Sequence, residues 1–494
     1  MMSLKSLAGQ TAIYGLPSIL GRFLNFLLVP LYTGQFVAAE YGIVNEVYAV
    51  VAFVAVILPL GFEPAYFRYA AREEYNEKEV YQSALAVVTL SALSFIFIIL
   101  IFTQPVANWM LYPDHPEYIL WMSGALFFDA LAVIPLARLR HRQRAMKFAV
   151  INLTGILVNI GLNALLVWYF LGAAVNGNIP SWLQWLDPNI GVGFIFIANF
   201  ISSGVRFLLL IPSYSDFRLK FNRRLNLQLL RYALPLVVAA FAGVINETID
   251  RRLLRVILQP LFGAEEALAQ VGIYGAVYKL SIILTLFTQA FRYAAEPFFF
   301  RTDEGSNKKT VYADMMKWYT IVALLASLLV LLFLDIFKIL IRTEEYWTGL
   351  YILPILLMAN IFLGWIYNLS VWYKVIHRTA FGGFIALAGA GITVLFNYAL
   401  IPSMGYEGSA WATFTAYGFM AVLSYALSRR HYKISYDLPS IFGYMVLAIL
   451  LVIVDRYWIQ NQATLLYIWK LMAMVVFVSI VAIKERKTLL KLLR

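Results

Sequence analysis

The chain has 494 residues, of which 62% are hydrophobic and 13% charged, with a net charge of +12. Soluble domains run at about 45–50% apolar and about 25% charged, so this chain carries too few charges to cover itself in water and most of its exterior must face lipid. It has no cysteine, and its four histidines (His115, His141, His377, His431) fall at no metal-binding spacing, so neither thiol chemistry nor a metal or other cofactor is expected; the basic excess lies between apolar runs, which points to membrane topology and not to nucleic acid.

A membrane-spanning helix needs roughly 20 mostly apolar residues. Candidates lie near 11–33, 43–65, 82–104, 118–137, 149–171, 190–211, 232–250, 271–291, 318–340, 350–372, 381–401, 408–428, 438–454 and 464–483, about fourteen in all. The first carries Arg22 near its middle and Asn25 one turn on. Ionisable groups at membrane depth face a partner or a cavity, so Arg22 is either paired across helices, with Asp129 of the fourth span as one candidate, or a cation in a central cavity. The second span ends in GFEPAYFR, where Pro64 disfavours helix at Glu63 and removes a donor, so a kink or an end is expected there. Between the fourth and fifth spans RLRHRQRAMK packs Arg138, Arg140, Arg142, Arg144 and Lys147 into ten residues. Those residues are a topology anchor that binds anionic lipid heads, or a phosphate-catching rim at the cytoplasmic entrance.

On the fifth span Asn152, Asn159 and Asn163 share one stripe, and on the sixth Asn199, Ser202, Ser203 and Arg206 follow at i, i+3, i+4 and i+7. Such stripes either glue helices or line a hydrated cavity. Residues 215–231, SDFRLKFNRRLNLQLLR, read as an amphipathic linker helix on the inner membrane surface. The seventh span ends in ETIDRRLLR at 247–255, which puts Asp250, Arg251 and Arg252 at an outer rim against the trend of the other loops. Lys279 of the eighth span is a cavity cation or a snorkelling side chain, and that span closes with AEPFFFR, holding Glu296 and Arg301. In the last span Lys470 reads as structural.

Short loops rich in Lys and Arg stay in the cytoplasm. The even-numbered connections and the tail are basic, whereas those near 34–42, 105–117, 173–189 and 402–407 hold no Lys or Arg. Both termini are therefore expected in the cytoplasm.

The chain also repeats itself. YGLP at 14–17 returns as YALP at 232–235, YGIVNEVYAV at 41–50 as VGIYGAVYKL at 271–280, and EPAYFR as EPFFFR. LNALLV at 162–167 pairs with FNYALI at 396–401, and GVGFIFIAN at 191–199 with YEGSAWATF at 406–414. Five matches in one order imply two parallel six-helix repeats. The expected division is a lobe over 1–214, the linker at 215–231, a second lobe over 232–434, and two extra helices with a basic tail over 435–494. The paired Glu-Pro ends, with Glu63, Arg68, Glu296 and Arg301, are either anchors or the two halves of an inner gate.

GRFLNFLLVPLYTGQFVAAEYG, the mid-chain YALP, INETIDRRLL, GIYGAVYKL and the Glu-Pro-aromatic close together resemble the polysaccharide-exporting (Wzx-type) flippases of the multidrug/oligosaccharidyl-lipid/polysaccharide superfamily. That resemblance implies a V-shaped pair of six-helix lobes in the bacterial inner membrane, working as a monomer around a cationic cavity. It implies alternating access for an undecaprenyl-pyrophosphate-linked oligosaccharide; the polar residues at membrane depth, Arg22, Asn25, Lys279, Asp129, Asn159, Asn163 and Arg206, are the candidates for lining that cavity. Partners would be membrane lipids, a polysaccharide polymerase and glycosyltransferases. Fourteen spans also resemble lipid II flippases, and Glu46, Glu63 or Asp129 could serve cation coupling as in multidrug exporters. A membrane enzyme is disfavoured, since the long connection near 172–189 has one acid, Asp187, and no nucleophile–base constellation appears. A channel is disfavoured because no filter-like repeat is visible.

Overall fold

The computed structural model describes residues 21, 23–24, 26–216, 222–301, 308–456 and 463–486; of 293–301 and 463–466 it describes the backbone alone. Every regular element among the described residues is helical. The chain divides by its internal contacts into two units, residues 1–275 and 276–494.

The first unit contains α1 (Val29–Gln35), α2 (Ala38–Ile57), α3 (Phe62–Ala70), α4 (Glu77–Ile101), α5 (Thr103–Trp109), α6 (Pro116–His141), α7 (Ala145–Asn163), α8 (Gly193–Leu210) and α9 (Arg223–Phe262), and most of α10 (Ala264–Leu280). The second holds α11 (Ile282–Arg301), α12 (Lys308–Leu332), α13 (Leu353–Leu369), α14 (Ala380–Met404), α15 (Tyr406–His431), α16 (Leu438–Val454) and α17 (Ala463–Lys484). Among the described residues eleven spans are long and apolar enough to cross a membrane, or twelve with the bent pair α10–α11, and α16 adds a shorter apolar helix of 17 residues. Each span expected from the second onward has its helix; most of the first lies outside the described residues.

Local chemistry sets the helix ends. Asn76, Asn222 and Asp437 accept hydrogen bonds from the backbone N–H of Lys78 (2.9 Å), Leu225 (3.2 Å) and Ser440 (3.3 Å), capping α4, α9 and α16. Gly263, at φ 88°, closes α9 in a conformation that L side chains resist.

Two local expectations need correction. The break in the second span precedes Glu63: Leu60 and Gly61 take φ of 53° and 66°, and Glu63 and Pro64 lie in the first turn of α3. Proline is tolerated there because first-turn N–H groups have no intrahelical acceptor. In the second half the helix runs unbroken through Glu296 and Pro297, and the 46° bend lies at Ser281, between α10 and α11. Nor do residues 215–231 form a separate helix. Residues 211–216 make a 3-10 turn, 217–221 lie outside the described residues, and from Arg223 the chain is already α9. At 40 residues α9 is about 60 Å long, about twice the hydrocarbon thickness of a bilayer. Along that length it packs on α2, α3 and α4, so the helix that opens the second sequence repeat belongs to the first unit.

Candidate functional site

Three polar clusters in the first unit stand out against its apolar packing. The first joins α6, α7 and α8. Gly124 of α6 faces Phe200 of α8, where a Cβ would collide with the ring, so the two helices approach closely. That approach brings Asp129 onto Arg206 as an ion pair. The pair is only partly covered, with side-chain exposures of 44% and 27%. Two charges left open along apolar helices are tolerated only where they face water or a polar ligand. Arg206 packs beside Gly155 of α7.

The polar stripes are mostly consumed by helix contacts. Asn199 donates to the hydroxyl of Tyr48 on α2 at 2.6 Å, and Ser202 donates to the Asn199 carbonyl at 3.2 Å. Asn163 is fully buried: its amide donates to the Asn159 carbonyl (2.8 Å) and its Oδ1 accepts from Tyr32 of α1 (2.8 Å). Asn397, its counterpart in the repeat, does the same, donating to the Thr393 carbonyl (2.7 Å) and accepting from Ser409 (2.9 Å). Asn163 thus binds helices together, whereas the buried Asn159 keeps an Nδ2 with no hydrogen-bond partner. Arg22 and Asn25 lie outside the described residues, so the pairing of Arg22 with Asp129 is not described; Arg206 occupies that carboxylate. Lys279 is half-buried near the end of α10.

The second cluster explains the arginines that break the loop-charge rule. Glu46 of α2 is wholly buried and pairs with Arg252 of α9, while the Arg255 Nε stands 3.9 Å from its second oxygen. Tyr112 donates its hydroxyl to Glu46. Burial, and then the Glu46 carboxylate, pushes the Tyr112 phenol well above its ordinary value, so it stays protonated as a donor. Arg252 also donates to the Trp109 carbonyl at 2.7 Å. Next to it Asp250 accepts from Arg251 (2.9 Å) and from Tyr274 of α10 (2.5 Å), and Arg251 reaches the Glu247 carbonyl at 2.7 Å. Asp250 and Arg251 are buried. The expected outer rim is therefore an internal ionic seam, because burial of each charge demands its partner. Close glycines hold the seam: a Cβ on Gly42 would strike the Leu268 carbonyl, and one on Gly272 the Ala38 carbonyl.

The third cluster contains the basic loop. Arg138 is buried, stacks over Tyr81 at 3.9 Å, and pairs with Glu77 (3.1 Å) and Asp216 (3.0 Å). Arg142 meets Glu77 at 2.7 Å and Lys78 meets Asp216 at 2.9 Å. Arg140 pairs with Glu63, which brings together one expected entrance residue and one expected gate residue. Arg68 lies over the Tyr232 ring at 4.4 Å, and Arg144 is exposed at the start of α7. The side chains of Glu296 and Arg301 lie outside the described residues.

In the sequence Glu46 stood out only as a possible cation-coupling acid, and Arg255 only as the end of the stretch ETIDRRLLR; Tyr112 and Tyr274 carried no signal above the general abundance of tyrosine. Among the described residues no three His, Asp or Glu side chains converge as metal ligands.

Residues 7–303 match the family model described as polysaccharide biosynthesis protein. No curated protein sequence matches the chain. Among solved structures, the lipid II flippase MurJ in an inward closed conformation is similar with a TM-score of 0.69 at 14% identity, over 96% of this chain and 99% of that one. An inward-facing multidrug resistance MATE transporter of the MOP superfamily gives a TM-score of 0.61 at 15% identity, over 83% and 94%. An outward-facing multidrug resistance MATE transporter of the same superfamily gives 0.59 at 15% identity, over 85% and 94%. At such identities the likeness establishes a shared fold.

Proposed function

The chain belongs to the polysaccharide biosynthesis protein family, and on that premise we propose that it is a flippase for a polyprenyl-pyrophosphate-linked oligosaccharide, working by alternating access. The observation that carries this reading is the fold shared along 96% of the chain with a protein named as a flippase of lipid II. The cargo moves from the inner to the outer leaflet of the bacterial cytoplasmic membrane, and both termini lie in the cytoplasm. Members of the same assembly line, a polymerase and glycosyltransferases, are its partners.

The chemistry asks little of the protein beyond a path. The polyprenyl tail stays in lipid, the sugars need water and hydrogen bonds, and the pyrophosphate needs cations. Arg206 supplies one: the open ion pair with Asp129 lets the guanidinium exchange a carboxylate for a phosphate without ever being left unpaired. Asn159, with its unpartnered Nδ2, offers a donor on the neighbouring helix. Arg22, Asn25 and Lys279 complete the cavity in this reading, Arg140 and Arg144 receive the head group at the cytoplasmic side, and Glu63 exchanges partners as the inner gate opens.

Depletion of the protein in cells tests this directly. Lipid-linked oligosaccharide should accumulate in the inner leaflet while surface glycan falls; unchanged surface glycan contradicts the reading. The competing reading, cation-coupled drug export on the same fold, predicts instead drug sensitivity with surface glycan intact.

A further inference from the structure

The second unit holds two adjoining cavities that the transport reading does not use. One, of about 270 Å³, lies between α12, α13 and α16 and is walled by Leu324, Leu328, Leu357, Met358 and Ile449, with Ser327 and Arg456 its polar members. The other, of about 280 Å³, shares Leu331, Pro354, Val452 and Arg456 with it and opens onto Asp335, Lys338, Asp455 and Lys470. Together they form an apolar groove with a charged mouth.

The charges at the mouth cancel only in part. Lys470 is bound to Asp335, Nζ to Oδ1 at 2.6 Å, and Tyr467 donates to the same carboxylate at 2.8 Å. Lys338 lies over the Trp347 ring at 4.2 Å and, like Arg456, forms no ion pair among the described residues. Asp455 is nine-tenths buried, yet its Oδ1 has no hydrogen-bond partner. An unpartnered buried carboxylate oxygen is costly and calls for a donor, best a cationic one.

Two cations and one carboxylate with an unfilled lone pair, set at the end of an apolar groove, match a zwitterionic amphiphile. We propose that this groove binds a phospholipid with a phosphoethanolamine head. One acyl chain lies between α12, α13 and α16, the phosphate is held by Lys338 and Arg456, and the ammonium donates to Asp455. A glycerol head group would satisfy the cations but bring no cation to the carboxylate. A choline head has no N–H to donate, and a polyprenyl pyrophosphate carries no amine.

The test uses the full-length protein, delipidated in detergent and examined by native mass spectrometry against phosphatidylethanolamine, phosphatidylglycerol and phosphatidylcholine of matched chains. Retention of the ethanolamine lipid should exceed that of the other two by about tenfold, the size expected of one hydrogen bond between charged groups. Asp455→Asn should erase that preference while leaving phosphatidylglycerol bound. The double variant Lys338→Ala/Arg456→Ala should weaken all three lipids. Met358→Trp, which fills the groove from its apolar side, should lower binding of every lipid without touching the mouth. Equal retention of the three head groups overturns the proposal. So does an ethanolamine preference that survives Asp455→Asn, or a stronger adduct with polyprenyl pyrophosphate than with phosphatidylethanolamine.

Discussion

Arg206 was one of several charges that the sequence set at membrane depth, and its stripe on the sixth span was visible from spacing alone. Its partner was not. The sequence offered only Arg22 as a partner for Asp129; that Arg206 lies against it depends on how α6 and α8 rotate about their axes, which spacing along one chain does not determine. The pair yields a prediction. Arg206→Ala should reduce transport at least about tenfold with protein level unchanged, the loss expected when a charge-assisted contact to a phosphate is removed. The swap Asp129→Arg/Arg206→Asp separates two roles: restored transport would mean that the pair only holds helices together. Glu46 belongs to stability. Removing it strands Arg252 and Arg255 in the interior, so Glu46→Ala should destabilise the first unit by about 3–5 kcal/mol, read as a fall in thermal unfolding temperature of the detergent-solubilised protein. An unchanged temperature would show that those arginines find water.

Helices were the most legible feature, because a run of apolar residues long enough to cross a bilayer has few other fates. Their breaks were less so. The stretch PLGFEP holds two signals, and it is Pro59-Leu60-Gly61, with two left-handed residues, that breaks the helix, while Glu-Pro starts the next one. The linker differs from the sequence expectation for a related reason: its apolar flank continues the register of the seventh span, so one helix of 40 residues replaces a surface helix and a span. The α2–α10 seam depends on glycine at Gly42 and Gly272, both of which abut backbone carbonyls. Gly272→Leu should therefore push α10 off α2 and break the ionic seam with it, read as faster alkylation of a cysteine introduced at Ala38; labelling at the original rate would show that the helices do not need that approach. Charge reversal at Glu63 and Glu296 should open the proposed inner gate, read as greater labelling of cysteines near Arg140.

At the scale of the molecule, the internal repeat was readable from five short matches, and it anticipated a structural equivalence: Asn163 and Asn397 each brace a helix through the carbonyl four residues back and accept from a hydroxyl on another helix. The division into units was not readable, because α9 is the second repeat's first helix in sequence and the first unit's longest helix in packing. The topology makes its own prediction: a reporter fused after Arg224 should face the cytoplasm and one near Pro180 the exterior, and the reverse would overturn the orientation. The proposed function is movement of a lipid-linked glycan between leaflets. It is tested most directly in sealed proteoliposomes that hold a polyprenyl-pyrophosphate oligosaccharide, by following the fraction that an external glycosidase can reach. The pure protein should carry the protected half of the lipid to the accessible leaflet, and Arg206→Ala should slow this at least about tenfold; a protected fraction that stays constant with the intact protein would contradict that function.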